Sequence, residues 1–155
     1  MTEINQAHSS EAGFTIVELI AAVTIGAMML ALAVPASMKM YESMQYRGAV
    51  KDAVTLLASA RYKAIDSGRA QDVRITPDER ELRFNDTTRT LPDGLKVAVT
   101  SARELNEQGV GVIRFYPEGG SSGGGLDIER ENGSGVRISV DWLIGRVFQE
   151  RYNSE

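Results

Sequence analysis

From Phe14 to Val34 the chain runs for 21 residues in which Thr15, Glu18 and Thr24 carry the only polar side chains. About 20 such residues cross a bilayer as an α-helix. Beyond Pro35 the pattern becomes one-sided. Val50, Ala53, Val54, Leu57, Ala60, Ala64 and Ile65 recur at helical spacing, while Lys51, Asp52, Arg61 and Lys63 fall mostly elsewhere. Ser67-Gly68 is a stop signal. The spacing predicts one helix over 14–66, apolar all round in its first half and on one side in its second. Pro35 lacks an N–H and is expected to kink or loosen that helix.

From residue 69 the period falls to two. Alternation predicts strands over 72–76, 81–85, 95–100, 111–116, 125–130, 135–141 and 146–149. Turn signals separate them: Pro77-Asp78, Pro92-Asp93-Gly94, Gly119-Gly120, Asn132-Gly133 and Gly145, with Asn132-Gly133 a strong hairpin signal. Residues 101–110 read as a polar connection. The expected fold class is α+β: a long N-terminal helix packed on an antiparallel β-sheet domain. A β core of about 85 residues is small, so the helix is needed to cover one sheet face.

Composition removes several functions. The chain of 155 residues has 21 acidic and 17 basic side chains, a net charge of −4, which argues against a nucleic-acid partner drawn by bulk charge. Without cysteine there is no disulfide, thiolate nucleophile or Cys-based metal site. The single histidine, His8, lies in the polar N-terminal tail, so the folded body has no His-dependent triad. Glu118-Gly119-Gly120-Ser121-Ser122-Gly123-Gly124 is glycine-rich, but no Lys follows it and a strand comes next, so it does not read as a phosphate cradle. It reads as a flexible connection that contacts a partner. Trp142 reads as a packing residue. Asp141 and Glu118 are too far apart in sequence to suggest a catalytic pair. No enzyme, metal or cofactor is expected.

Glu18 is the anomaly. A charged side chain at a helix centre in lipid costs roughly 2.5–3.5 kcal/mol, less near an end. Something should offset it. The run is also longer than the about 7–15 apolar residues of a signal peptide, and its start is not basic.

Gly13-Phe14-Thr15-Ile16-Val17-Glu18-Leu19 resembles the processing site of type IV pilins and of the pseudopilins of type II secretion. The short leader, the Gly-Phe junction, Glu18 and Pro35 all stand where that family has them. Three further stretches, 58–75, 115–128 and 140–147, are similar to H-type minor pseudopilins and the related FimT-like minor pilins. The resemblance implies a leader over 1–13, cleaved between Gly13 and Phe14 by a prepilin peptidase that then N-methylates Phe14. It implies a transmembrane and filament-core helix half over 14–38, an amphipathic half over 39–68 and an extracytoplasmic β domain over 69–155. Cleavage would create an α-amine at Phe14, and Glu18, four residues on, could neutralise a neighbour's amine. A paired charge in low dielectric costs far less than a lone one. Glu18 and Pro35 are thus the implied assembly residues. The implied partners are major and other minor pseudopilins, the prepilin peptidase, the inner-membrane secretion platform and the lipid bilayer. The implied location is the bacterial inner membrane, with the C-terminal domain in the periplasm.

One feature departs from the family. Residues 1–13 contain Glu3 and Glu11 but no Lys or Arg, whereas Lys39, Arg47 and Lys51 follow the apolar run. The positive-inside rule alone would keep the body in the cytoplasm. The cleavage-site resemblance implies the opposite and is the more specific signal. The alternatives to a type II secretion pseudopilin are a FimT-like minor pilin of a type IV pilus and an uncleaved single-pass protein with a β binding domain.

Overall fold

The computed structural model describes residues 13–101 and 109–154, Ala36 by its backbone alone. The chain forms two compact units, Met1–Tyr41 and Glu42–Glu155. Most of the leader (1–12) and most of the polar connection (102–108) lie outside the described residues.

Helix α1 runs from Ile16 to Ser67. Thr15 caps it: its Oγ1 accepts from the Glu18 N–H at 3.2 Å, and its carbonyl accepts from the Leu19 N–H at 3.1 Å. Gly68, with φ of 64°, ends it in the left-handed conformation that glycine adopts without strain. Pro35 lies inside the helix and does not terminate it.

In the first unit the helix is long and apolar enough to cross a membrane, and its most apolar window is wholly unburied. Phe14, Ile16, Leu19, Met28 and Leu32 are all exposed. An apolar stretch with no protein cover requires lipid or other helices around it.

Among the described residues of the second unit, eight strands form two antiparallel sheets. One has the order β3-β2-β1-β5 and the other β4-β6-β7-β8. The first contains β1 (Gln71–Thr76), β2 (Glu81–Phe84), β3 (Thr87–Thr90) and β5 (Gly111–Phe115); the second contains β4 (Leu95–Thr100), β6 (Gly124–Arg130), β7 (Ser134–Val140) and β8 (Val147–Asn153). The β6–β7 hairpin turns through Asn132-Gly133 and pairs Glu129 with Gly135, as the turn signal predicts. Two differences from the pattern stand out. Strand β3, Thr87-Thr88-Arg89-Thr90, is exposed throughout, so no apolar alternation betrays it. It is joined to β2 by Asn85-Asp86, where Asn85 takes a φ of 50°. Strand β8 extends to Asn153 because it is an edge strand whose middle residues are exposed and polar.

The core draws on the helix and both sheets. Tyr46, Ala49, Val50, Ala53, Leu56, Leu57, Ala60 and Ala64 of α1 pack with Val73, Ile75, Leu82, Ile113 and Phe115 of one sheet and Leu126, Ile128, Ile138 and Val140 of the other. Alanine recurs on this face, which lets the helix axis approach the strands closely. Ile65, expected on the same stripe, is 46% exposed at the last turn. Leu57 is fully buried. Leu57→Ala should therefore destabilise the body by about 2–5 kcal/mol. Urea unfolding of the full chain in detergent, followed by circular dichroism, would show it as a lower midpoint at an unchanged slope.

Candidate functional site

The residues singled out in the sequence fall into two groups, one in each unit. The first is the N-terminal junction. Gly13 and Phe14 precede the helix, and Phe14 is 83% exposed. A Cβ built on Gly13 would meet nothing within 4 Å, and its φ lies outside the left-handed range. Among the described residues, nothing therefore demands glycine at position 13. Glu18 occupies the first turn of α1 and is exposed. A carboxylate there complements the partial positive charge of the helix start, worth about 0.3–1 kcal/mol at an exposed site. The Thr15 cap uses the backbone N–H of Glu18, not its carboxylate.

The second group lies at the loop end of the β body. The expectation of a flexible glycine-rich connection is corrected here. Of the seven residues from Glu118 to Gly124, only Glu118 is exposed; Gly119, Gly120, Ser121 and Gly123 are buried. Hydrogen bonds hold the loop from both sides. The Ser121 N–H donates to the Trp142 carbonyl at 2.9 Å, and Ser121 Oγ donates to the Asp141 carbonyl at 2.9 Å. The Ser122 N–H donates to the Arg114 carbonyl at 2.8 Å, and the Arg114 N–H donates to Ser122 Oγ at 3.0 Å. The serines thus stitch the loop to β5 and to the turn that follows β7.

That turn, Asp141-Trp142-Leu143-Ile144-Gly145, is itself fixed. Asp141 Oδ1 accepts from the N–H groups of Leu143 and Ile144 at 2.8 and 3.0 Å. This is how the Asp141 carboxylate is used. Arg61 of α1 donates from Nε to the Ile144 carbonyl at 3.1 Å. Gly145 has φ of 60°, and a Cβ there would lie 2.5 Å from the Gly119 carbonyl oxygen, so both its conformation and its neighbours require glycine. Trp142, expected to pack inside, is 68% exposed, with Leu143 and Ile144 beside it. The fixed turn turns these side chains outward into an apolar tip. The Asp141-to-Gly145 spacing is a readable turn signal; the support from Arg61 and the serines is not, since it joins residues 83 and 20 positions apart. Among the described residues no group of three or more His, Asp or Glu could hold a metal ion.

A long capped helix, half of it lipid-suited, and a body of two small antiparallel sheets built on its other half define a pilin-like α+β protein. Solved structures share this fold. The minor pseudopilin EpsH from the type 2 secretion system of Vibrio cholerae aligns with a TM-score of 0.56 at 21% identity, over 68% of this chain and 96% of that one. The type IV minor pilin FimU of Pseudomonas aeruginosa aligns with a TM-score of 0.56 at 15% identity, over 72% of this chain and 92% of that one. The type II secretion system protein H of Xanthomonas campestris pv. campestris is 29% identical over 137 residues, 87% of this chain and 80% of that protein. The prokaryotic N-terminal methylation motif matches residues 8–34. The family described as type II transport protein GspH matches residues 49–143, most of the second unit. The chain belongs to that family, the H-type minor pseudopilins of type II secretion. Its members are structural subunits, and its apolar helix half is a membrane anchor.

Proposed function

We propose that the chain is matured by a prepilin peptidase at Gly13-Phe14, is N-methylated on Phe14, and joins the tip of the type II secretion pseudopilus with its body in the periplasm. There it assembles with major and other minor pseudopilins on the inner-membrane secretion platform, in support of export of folded proteins across the outer membrane. The observation that carries this reading is the pairing of a methylation motif over 8–34 with a GspH body over 49–143 on one chain. The open surroundings of Gly13 among the described residues support it: an enzyme that must fit the junction supplies a reason for a small residue there. Pro35 belongs to the helix half that enters the filament core. The loop 118–124 serves a partner indirectly, by holding the turn that carries Trp142, Leu143 and Ile144 outward.

Mature protein extracted from membranes should begin at Phe14 with a methylated amine. N-terminal sequencing and intact mass of protein from cells with active peptidase test this. Gly13→Leu should leave nearly all of the protein uncut while the body folds as before, because a side chain at position 13 would meet no described residue. A Met1 start in the unaltered chain would refute the maturation step.

A further inference from the structure

Between α1 and the β8 edge of the second sheet lies a groove of about 650 Å³. Four cations line it: Arg47 and Lys51 from the helix, Arg130 from the end of β6 and Arg151 from β8; Glu150 is its sole acid. The chain as a whole carries a net charge of −4, so the groove inverts the sign of the molecule locally. Six cations elsewhere are neutralised by neighbours. Arg80, Arg83, Arg114, Arg137, Lys63 and Lys96 each lie within salt-bridge distance of a carboxylate. Among the described residues, none of the four groove cations does.

Arg130 is the most constrained of the four. Its guanidinium stacks 4.5 Å from the centre of the Tyr46 ring. Its Nε is buried and has no hydrogen-bond partner. A buried charged donor left without an acceptor is costly and asks for an anion. The Tyr46 hydroxyl donates to the Ile128 carbonyl at 3.3 Å, and burial raises its pKa against the opposing pull of Arg130 and Arg151.

The shape of the groove narrows the anion. Arg47 and Lys51 are one helical turn apart on one face. Strand β8 runs for seven residues, hydrogen-bonded on one side to β7, and is the outermost strand of its sheet. A row of cations facing an edge strand suits a chain of carboxylates in extended form, held by main-chain pairing and by side-chain charge together. A single compact phosphate would engage only part of the row. We propose that this groove receives an extended acidic segment of another protein, laid along β8, with its carboxylates on Arg47, Lys51, Arg130 and Arg151. This goes beyond the pseudopilin reading and rests on it only in that an assembly supplies neighbouring chains.

The test uses the full chain in detergent and a fluorescein-labelled octapeptide of alternating Thr and Glu, followed by anisotropy. The Thr-Glu peptide should bind, and a Thr-Lys peptide should not. Lys51→Glu and Arg151→Glu, both at exposed positions, should each weaken binding roughly tenfold, the equivalent of about 1.4 kcal/mol. Arg137→Gln, whose guanidinium is held by Asp127, should change little. Methylating the amides of one alternate set of peptide residues should abolish binding, and methylating the other set should not, since a strand pairs through one set only. Thermal melting of each variant confirms that the body still folds, and Arg47→Glu serves where another variant melts early. No Thr-Glu binding, binding indifferent to the substitutions, or binding indifferent to both methylations would overturn the proposal. Capture of phosphatidylglycerol vesicles by the same cations without peptide binding would overturn it in favour of a lipid surface. None of these outcomes bears on cleavage at Gly13, so failure here is separable from failure of the maturation reading.

Discussion

A chain lacking residues 1–38 should be soluble and monomeric, and a chain lacking residues 1–66 should aggregate. The first deletion spares the helical core: the most apolar window of α1 is unburied, and the helical core positions begin at Tyr46. The second removes Tyr46, Val50, Leu56 and Leu57 together with four alanines from a core shared by both sheets. Four large side chains at about 1.5–3 kcal/mol each amount to about 6–12 kcal/mol, comparable with the about 5–15 kcal/mol that holds a whole domain folded. The loss would also leave Ile113, Phe115, Leu126 and Ile138 facing water on two sheets at once. Size-exclusion chromatography of the two truncations at equal concentration decides the matter. Equal solubility would mean that the sheets close on each other without the helix.

Glu18→Leu should be cut and inserted like the unaltered protein yet recover partner pseudopilins poorly. The Thr15 cap survives the change because it uses the backbone N–H of residue 18, and leucine suits lipid better than a carboxylate. What disappears is the anion that would meet a neighbour's Phe14 amine in the assembled helices. Breaking a buried pair from one side costs about 3–5 kcal/mol, less where lipid can relax around the orphan. Even half of that shifts an assembly equilibrium roughly tenfold or more. Co-purification of partners at matched expression, together with secretion, measures it. Undiminished recovery and secretion would leave recruitment to the β body alone.

How much of this was legible follows from what each residue faces. The helix was readable because its two halves carry two distinct apolar patterns, and its end bears a local signal, Ser67-Gly68; the Thr15 cap was seen only in the structure. Strands β1, β2, β4, β5, β6 and β7 were readable because each buries alternate side chains or lies between strong turns. Strand β3 was not, since both its faces meet solvent and only Asn85-Asp86 marks the hairpin. The division into two sheets was equally hidden: it depends on β1 pairing with β5, Gln71 opposite Phe115, across 44 positions of chain. At the loop end, the glycine and serine composition suggested slack. The opposite holds because the serine hydroxyls and the backbone around them are consumed in hydrogen bonds to β5 and the Asp141 turn. Trp142 was misplaced for the same reason: its backbone carbonyl is what the fold uses, and its ring is left over. The four cations of the groove come from three elements that only the folded body brings together.

A subunit built to join others lengthwise must be prevented from joining them sideways. One outer strand of the first sheet, Thr87-Thr88-Arg89-Thr90, is short, hydroxyl-rich and charged at its third position. Another sheet edge arriving there would have to desolvate the Arg89 guanidinium and would find no apolar face in return. Such an edge rejects the broad, irreversible stacking by which exposed strands form fibrils, and leaves growth to the helices. The feature that made β3 invisible in the hydrophobic pattern is thus the one that keeps two kinds of polymer apart.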